Sequence, residues 1–162
     1  ILLKNVESDG QHFSGLDSYI KSGTLKYVAF SVNGTEHVVG MEFAGEFVSD
    51  FPFSLSGIDA RVSIVAVTAC NIYCFPVQEI VKRMNEDCKV KDIVMRSAEA
   101  VFSTVYDRYV DLYVKTPQQR YDELVSRHPN LFTLFSLKDI ASFLNITPTH
   151  LSRLRKNDCK QC

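Results

Sequence analysis

The chain has 162 residues, of which 46% are hydrophobic and 23% charged, a globular composition that argues against a disordered protein. Its 18 basic and 19 acidic side chains give a net charge of −1. This excludes a uniformly basic nucleic-acid coat but leaves room for a local basic patch. No signal-peptide pattern and no run of the ~20 apolar residues that a membrane span needs is present. We expect a cytoplasmic protein with no membrane partner, whose sequence begins directly in a strand-like segment, as a chain with an incomplete start would.

The cysteines and histidines do not form a recognisable metal or catalytic pattern. Five cysteines are too few and too uneven for a disulfide scaffold, and the C-x-x-C of Cys159 and Cys162 lacks a second ligand pair. The sequence contains no Walker loop, no H-E-x-x-H and no nucleophile elbow. We therefore expect no bound metal and no enzymatic activity.

The first half of the chain has the pattern of short antiparallel strands. The segments 25–32 and 35–43 flank Asn33-Gly34, a pair that favours a hairpin because both residue types tolerate positive φ. Further strands are predicted over 61–67 and 71–75, and glycines recur at short intervals between the strands. Regular short strands with glycine turns predict an antiparallel roll or barrel. In the segment 45–57, Gly45-Glu46 ends a strand and a short helix is predicted to follow.

The middle of the chain predicts one long helix over about 88–114, which would be ~40 Å long at 1.5 Å per residue. It carries two stripes of mostly apolar residues at heptad-like spacing. The first is interrupted by a charged residue and consists of Val94, Ala98, Val101, Val105, Arg108 and Leu112; the second consists of Phe102, Tyr106, Tyr109 and Tyr113. So long a helix favours a homodimer through this element; the alternative is that both stripes are buried within one subunit.

The last third predicts short helices with strong N-terminal signals. Thr116-Pro117-Gln118-Gln119 has an N-cap, a proline at the first helical position and a glutamine three residues after the cap. This helix should run toward Arg127, before Pro129. Ser136 and Thr147 are predicted to cap two further helices.

The segment 136–156 has the spacing of a helix-turn-helix. Asn145 stands at the turn, where a left-handed backbone is required and Gly or Asn is tolerated. The positions that should face inward are Ile140, Ala141, Leu144, Ile146, Leu151 and Leu154. The polar residues that remain outside, and that we expect to contact DNA in the major groove, are Thr147, Thr149, His150, Ser152, Arg153 and Lys156. Residues 147–162 have a local net charge of +3, which favours double-stranded DNA as the partner.

The order of these parts resembles the catabolite activator / fumarate-nitrate regulator (Crp/Fnr) family of bacterial transcription factors. The most specific segments are IKSGTLKYVAFSVNGTEHVVGMEFAGEFV (20–48) and LKDIASFLNITPTHLSRLRK (137–156). The resemblance implies a cyclic-nucleotide-binding-like roll, a dimerising long helix and a ligand that reorients two recognition helices on a palindromic operator. It also implies that Arg153 reads bases and phosphates, and that RNA polymerase is a further candidate partner.

The resemblance implies ligand-binding residues as well, namely Gly45, Glu46, Arg61, Ser63, Ser103 and Thr104. Ala60 stands where the family's cyclic-AMP-binding members have the phosphate arginine, and Arg61 follows one place late. A slip of one residue in a strand turns the side chain to the opposite face. This departure argues against cyclic AMP and leaves another cyclic nucleotide or small effector as the candidate ligand.

These observations predict an α+β protein in three parts. Residues 1–87 form an antiparallel β-roll sensor, 88–115 a dimerisation helix and 116–162 a helix-turn-helix domain, without a wing because six residues follow Lys156. The predicted function is sequence-specific, ligand-controlled transcription regulation as a homodimer. One alternative is a ligand-binding or scaffolding module whose helical tail contacts protein instead of DNA. Another is a ligand-free roll, plugged by Tyr106 for instance, that dimerises constitutively.

Overall fold

The computed structural model describes residues 2–6, 12–13, 16–49 and 61–158, which form two small antiparallel sheets followed by helices. The α+β class expected from the sequence is confirmed. The strands are β1 (Leu2–Val6), β2 (His12–Phe13), β3 (Leu16–Ser22), β4 (Leu25–Phe30), β5 (Glu36–Glu42), β6 (Phe47–Val48), β7 (Ser63–Ala66) and β8 (Cys70–Pro76). The helices are α1 (Val77–Glu86), α2 (Cys88–Val114), α3 (Pro117–Arg127), α4 (Leu131–Leu134), α5 (Leu137–Phe143) and α6 (Pro148–Asp158).

The two sheets have four strands each, in the orders β1-β8-β3-β6 and β2-β7-β4-β5. Every pairing among these strands is antiparallel. The strand order also brings together strands that are distant in sequence, such as β1 and β8. Apolar side chains from both sheets form one buried core, whose members are Ile20, Leu25, Val48, Ile64, Ala66, Cys70, Ile72 and Cys74. Burial of this shared apolar surface holds the sheets together.

The hairpin predicted at Asn33-Gly34 is present as β4 and β5. Gly34 has φ +80°, whereas the side chain of Asn33 accepts hydrogen bonds from Ser31 Oγ (2.6 Å) and the backbone N–H of Thr35 (3.1 Å). Nearer the base of the hairpin, Gly40 lies against Tyr27, and a Cβ at position 40 would come 2.5 Å from Tyr27 Cδ2. The glycine is required there because the tyrosine ring crosses the neighbouring strand.

The long helix predicted over about 88–114 is confirmed as α2, which spans 27 residues. The helical sequence that begins at residue 77 is divided at Asp87, whose φ of −138° is extended. The Asp87 side chain accepts a hydrogen bond from the backbone N–H of Lys89 (2.8 Å) and thereby caps α2. The break therefore separates a short helix next to the sheets from the long one.

The predicted caps of the last three long helices are confirmed. Thr116 and Gln119 form a reciprocal capping box, with Pro117 at the first helical position. Ser136 Oγ accepts from the N–H of Asp139 (3.1 Å), and Thr147 Oγ1 accepts from the N–H of His150 (3.2 Å). The sequence did not predict the single turn α4, which lies between α3 and α5.

Candidate functional site

Helices α5 and α6 form a tight helical pair whose turn is made by one left-handed residue. Asn145 has φ +54°, and among the described residues it is the one non-glycine with positive φ. The backbone N–H of Ile146 donates to Ala141 O (2.9 Å), which closes the end of α5. The side chains predicted to face inward are buried or partly buried: Ile140, Ala141, Leu144, Ile146, Leu151 and Leu154. The inward face and the turn residue are thus where the sequence placed them.

The opposite face of α6 is polar and accessible. Of the six predicted contact residues, His150 is half-buried. The other five are exposed, and they are Thr147, Thr149, Ser152, Arg153 and Lys156. Ser152 Oγ donates to the carbonyl of Pro148 in the same helix (3.0 Å). Among the described side chains, Arg153 and Lys156 form no ion pair, whereas Arg155 lies 4.4 Å above the ring of Phe132. The two cations that extend from this face are therefore available to an anionic partner.

The helical pair is attached directly to the β4–β5 hairpin. Lys26 Nζ on β4 donates to Asp139 Oδ1 on α5 (2.8 Å) and to Glu36 Oε1 (3.0 Å). The backbone N–H of Val38 on β5 donates to Ser142 Oγ (2.9 Å). Burial lowers the Lys26 pKa, but the hydrogen bonds to both carboxylates outweigh it and raise that pKa overall. We call this set of contacts between hairpin and α5 the joint.

Arg108 of α2 adds a third element to the joint. Its guanidinium donates to the carbonyls of Val39 on β5 and of Phe143 on α5, the latter at 3.0 Å, and lies 3.7 Å above the Phe143 ring. Burial lowers the pKa of Arg108 to about 10, although nearby Glu42 favours the charged form. The charged residue that interrupts the first stripe of α2 thus fastens the hairpin, the long helix and α5 to one another.

Glu42, at the end of β5, interacts with this arginine, and Glu46 in the following turn interacts with Glu42. Burial, and secondarily the charge of Glu46, raise the pKa of Glu42 to about 8. Glu46 Oε2 accepts a hydrogen bond from the N–H of Phe43 (2.6 Å), and the Phe43 ring stacks on His128 with centroids 3.8 Å apart. Burial in turn lowers the His128 pKa. Partly buried titratable side chains therefore lie next to the joint, where the end of β5 meets the C-terminal helices.

The six residues implied as a ligand site lie on three separate parts of the fold. Gly45 and Glu46 form the turn between β5 and β6, and Arg61 and Ser63 stand at the start of β7. Ser103 and Thr104 are exposed on α2, where Thr104 Oγ1 donates to its own helix at Ala100 O (3.0 Å). Within the segment 45–57, residues 47–48 form β6 and not part of the short helix predicted after Gly45-Glu46. Residues 50–57 lie outside the described residues, as do Cys159 and Cys162.

A groove of about 720 Å³ lies elsewhere, between the first sheet and helices α1 and α2. None of those six residues is among the described residues that line it. Its walls are mainly apolar and come from β3, β6, β8, α1 and α2; they include Val48, Phe75, Ile80, Val90, Val94 and Val101. Its volume falls within the range of small-molecule pockets. This groove could not be predicted from the sequence, because it forms only where residues of β3 and β6 come to lie beside the consecutive elements β8, α1 and α2.

The second stripe of α2 is exposed in the described structure, where its rings contact one another in the pairs Phe102–Tyr106 and Tyr109–Tyr113. Its four aromatic side chains are between 56% and 74% exposed, and they are Phe102, Tyr106, Tyr109 and Tyr113. This stripe is thus not buried within one subunit. The exposure also contradicts the idea that Tyr106 plugs a pocket. In the first stripe, Ala98 is buried, whereas Val105 and Leu112 are 61% and 36% exposed.

Two further properties concern ions and membranes. Within the described ranges, no group of three or more His, Cys, Asp or Glu side chains could hold a metal ion. No helix of the described chain is long and apolar enough to cross a lipid bilayer.

Comparisons with known proteins give a match in structure and none in sequence. No family model matches the chain, and neither does any curated protein sequence. FixK2 from Bradyrhizobium japonicum aligns with a TM-score of 0.81 over 99% of this chain and 86% of its own, at 13% identity. A CRP/FNR-family transcriptional regulator from Thermus thermophilus aligns with a TM-score of 0.75 over 99% and 87%, at 10% identity.

The chain has the Crp/Fnr fold. A third similar structure is CLP from Xanthomonas campestris, a c-di-GMP-responsive global regulator, with a TM-score of 0.69 over 99% of this chain and 87% of its own, at 13% identity. The resemblance seen in the sequence is therefore confirmed at the level of fold. Since the alignments with these Crp/Fnr-fold proteins extend over nearly the whole chain, they cover both sheets, α2 and the terminal helices together.

Proposed function

We propose that this protein is a sequence-specific DNA-binding transcription regulator, in which α5 and α6 are the helix-turn-helix and α6 is the recognition helix. The observation that carries the proposal is the geometry of the helical pair formed by α5 and α6. A capped α6 follows a left-handed turn, buries Leu151 and Leu154, and exposes Arg153 and Lys156 without acidic partners among the described side chains. A helix with these properties fits the major groove of B-DNA.

In this proposal, Arg153 reads a base or clamps a phosphate, because its guanidinium presents a planar set of donors. Thr147, Thr149, His150, Ser152 and Lys156 contact the backbone or neighbouring bases. The Crp/Fnr fold supports this assignment, since the Thermus thermophilus relative is a transcriptional regulator. RNA polymerase is a further candidate partner of the DNA-bound protein.

The protein acts as a homodimer through the aromatic stripe of α2. Exposed apolar patches of this kind on a single subunit mark interaction surfaces. Two copies would place the recognition helices ~34 Å apart, one turn of DNA, on a palindromic operator. The functional units are residues 1–87 as sensor, 88–115 as dimerisation helix and 116–162 as DNA-binding unit. The joint ties the sensor to α5, so a ligand that changes the hairpin shifts the orientation of the recognition helix.

The deciding experiment is selection of bound fragments from a random duplex pool at physiological salt, followed by sequencing. We expect a palindrome whose half-sites lie one helical turn apart. Arg153→Ala should then weaken binding to the selected site by ~1–3 kcal/mol if the arginine reads a base. Arg96→Ala, which removes the same charge from an exposed position on α2, is the matched control and should leave the affinity unchanged.

A different result identifies the alternative function. If no sequence is enriched and binding disappears at modest salt, the helical tail contacts protein instead of DNA, or the regulator stays silent until its effector is supplied. Equal loss of affinity in both arginine variants would show that only overall charge matters and would remove the base-reading role of Arg153.

A further inference from the structure

The groove between the first sheet and helices α1 and α2 has an apolar wall and a balanced charge. Glu79 and Arg83, both on α1, are the two charged residues among those that line it. They pair with each other, with Arg83 Nε 2.9 Å from Glu79 Oε1. A ligand that enters this groove therefore meets no uncompensated charge from the described lining.

Two of the hydroxyl groups in the wall, those of Ser97 and Ser18, also donate hydrogen bonds within the protein. Ser97 Oγ donates to the carbonyl of Ile93 in the same helix (2.9 Å), and Ser18 Oγ lies 3.6 Å from Cys74 Sγ as its hydrogen-bond donor. The remaining lining consists mainly of aliphatic and aromatic side chains. Such a surface gains most from removing apolar area from water and offers little to a polar group.

A phosphorylated ligand does not match the apolar, charge-balanced lining of this groove. A phosphate taken out of water needs a cationic partner or several donors, and otherwise its burial is costly. Among the described lining residues, Arg83 is the one cation, and it is paired with Glu79. Charge matching thus selects an uncharged molecule, and the volume of about 720 Å³ is enough for a substantial apolar one.

We propose that this groove binds an uncharged, mainly apolar small molecule, and that this class of ligand, not a nucleotide, is the effector of the sensor. The site is distinct from the six residues that the family resemblance implies, and it directly contacts α2, the helix assigned to dimerisation. The effector role rests on the proposed regulator function, whereas the binding itself does not. A ligand here would press on the first half of α2, at Val94, Ser97 and Val101.

The test uses the full chain and N-phenyl-1-naphthylamine, an uncharged apolar probe whose fluorescence rises in apolar surroundings. We expect saturable binding that dodecan-1-ol displaces and that cyclic AMP at the same concentrations does not. Ser97→Phe fills the groove from α2 and should weaken probe binding at least tenfold. Glu99→Phe is the matched control, because it adds the same ring two residues along, about 200° around the helix, at an exposed position.

Three results would overturn the proposal. Absence of saturable binding means that the groove takes no apolar ligand. Displacement of the probe by cyclic AMP means that the ligand class is wrong. Equal binding by wild type and Ser97→Phe, with loss in Glu99→Phe, places the probe on the outer face of α2. Circular dichroism of both variants checks that they fold. The assay contains no DNA, so its failure and failure of the operator selection can be told apart.

Discussion

Arg108 offers the sharpest test of how the two ends of the molecule are joined. The substitution Arg108→Met keeps an unbranched apolar stem and removes the guanidinium, which donates to the carbonyls of Val39 and Phe143 and stacks on the Phe143 ring. In this variant, the carbonyl oxygens of Val39 and Phe143 lose their charged hydrogen-bond donor.

The expected magnitude follows from opposing contributions. Each hydrogen bond from a charged group contributes about 1.5–3 kcal/mol, and the cation–π contact adds about 0.5–2 kcal/mol. Together these contacts amount to a gross loss of roughly 3–8 kcal/mol. Part of this loss is offset, because the variant no longer has to bury a charged group. The lowered pKa of about 10 puts that offset on the order of 3 kcal/mol. We therefore expect Arg108→Met to lower the free energy of unfolding by about 2 kcal/mol.

The assay is urea unfolding followed by far-ultraviolet circular dichroism at one fixed protein concentration, because association of subunits would otherwise alter the midpoint. Arg108→Lys should lose nearly as much, since an ammonium cannot reproduce the planar set of donors. Arg96→Met, at an exposed position of the same helix, should change stability by less than about 0.5 kcal/mol. If Arg108→Met unfolds at the same urea concentration as wild type or a higher one, the guanidinium does not hold the joint.

Three further predictions concern the other features of the structure. Tyr109→Glu places a charge in the exposed aromatic stripe and should convert a dimer to a monomer in sedimentation; an unchanged mass would rule out this stripe as the interface. Asn145→Gly should preserve stability, whereas Asn145→Val should cost about 1–2 kcal/mol because a β-branched residue disfavours φ +54°; similar unfolding midpoints for both variants would contradict this. The folded state keeps a proton on Glu42 that the unfolded state releases, so stability should fall as pH rises from about 4.5 to about 8. Glu42→Gln should flatten that decline in urea unfolding at each pH, and an unaltered slope would assign it to another group.

The local elements of the fold could be predicted because their determinants lie within a few residues of one another. The capping box at Thr116, the turn at Asn145 and the bounds of α2 all follow from hydrogen bonds and periodicities inside one segment. The inward face of α5 and α6 was predictable for the same reason, since helical spacing alone decides which side chains share a face.

The family resemblance predicted the order of the parts, and the structure confirms the fold. It did not predict which residues share a pocket. Gly45 and Glu46 stay a predicted ligand turn. The structure adds that the Glu46 carboxylate accepts a hydrogen bond from the backbone N–H of Phe43 and interacts with Glu42 and His128. A two-residue motif reports local backbone geometry, but a binding site depends on which distant segments close over it.

The joint and the groove become visible only in the folded structure. Lys26 and Asp139 are 113 positions apart and become partners only because the hairpin packs on α5. In the sequence, Arg108 interrupts an apolar stripe without a visible reason. In the folded chain, its guanidinium donates to the carbonyls of Val39 on β5 and Phe143 on α5. Most of the elements, the helix caps and the polar face of α6 could be predicted from the sequence, because each depends on neighbours along the chain. The contacts between the hairpin, α2 and α5, and the groove, could not be predicted, because they depend on contacts between residues that are distant in sequence.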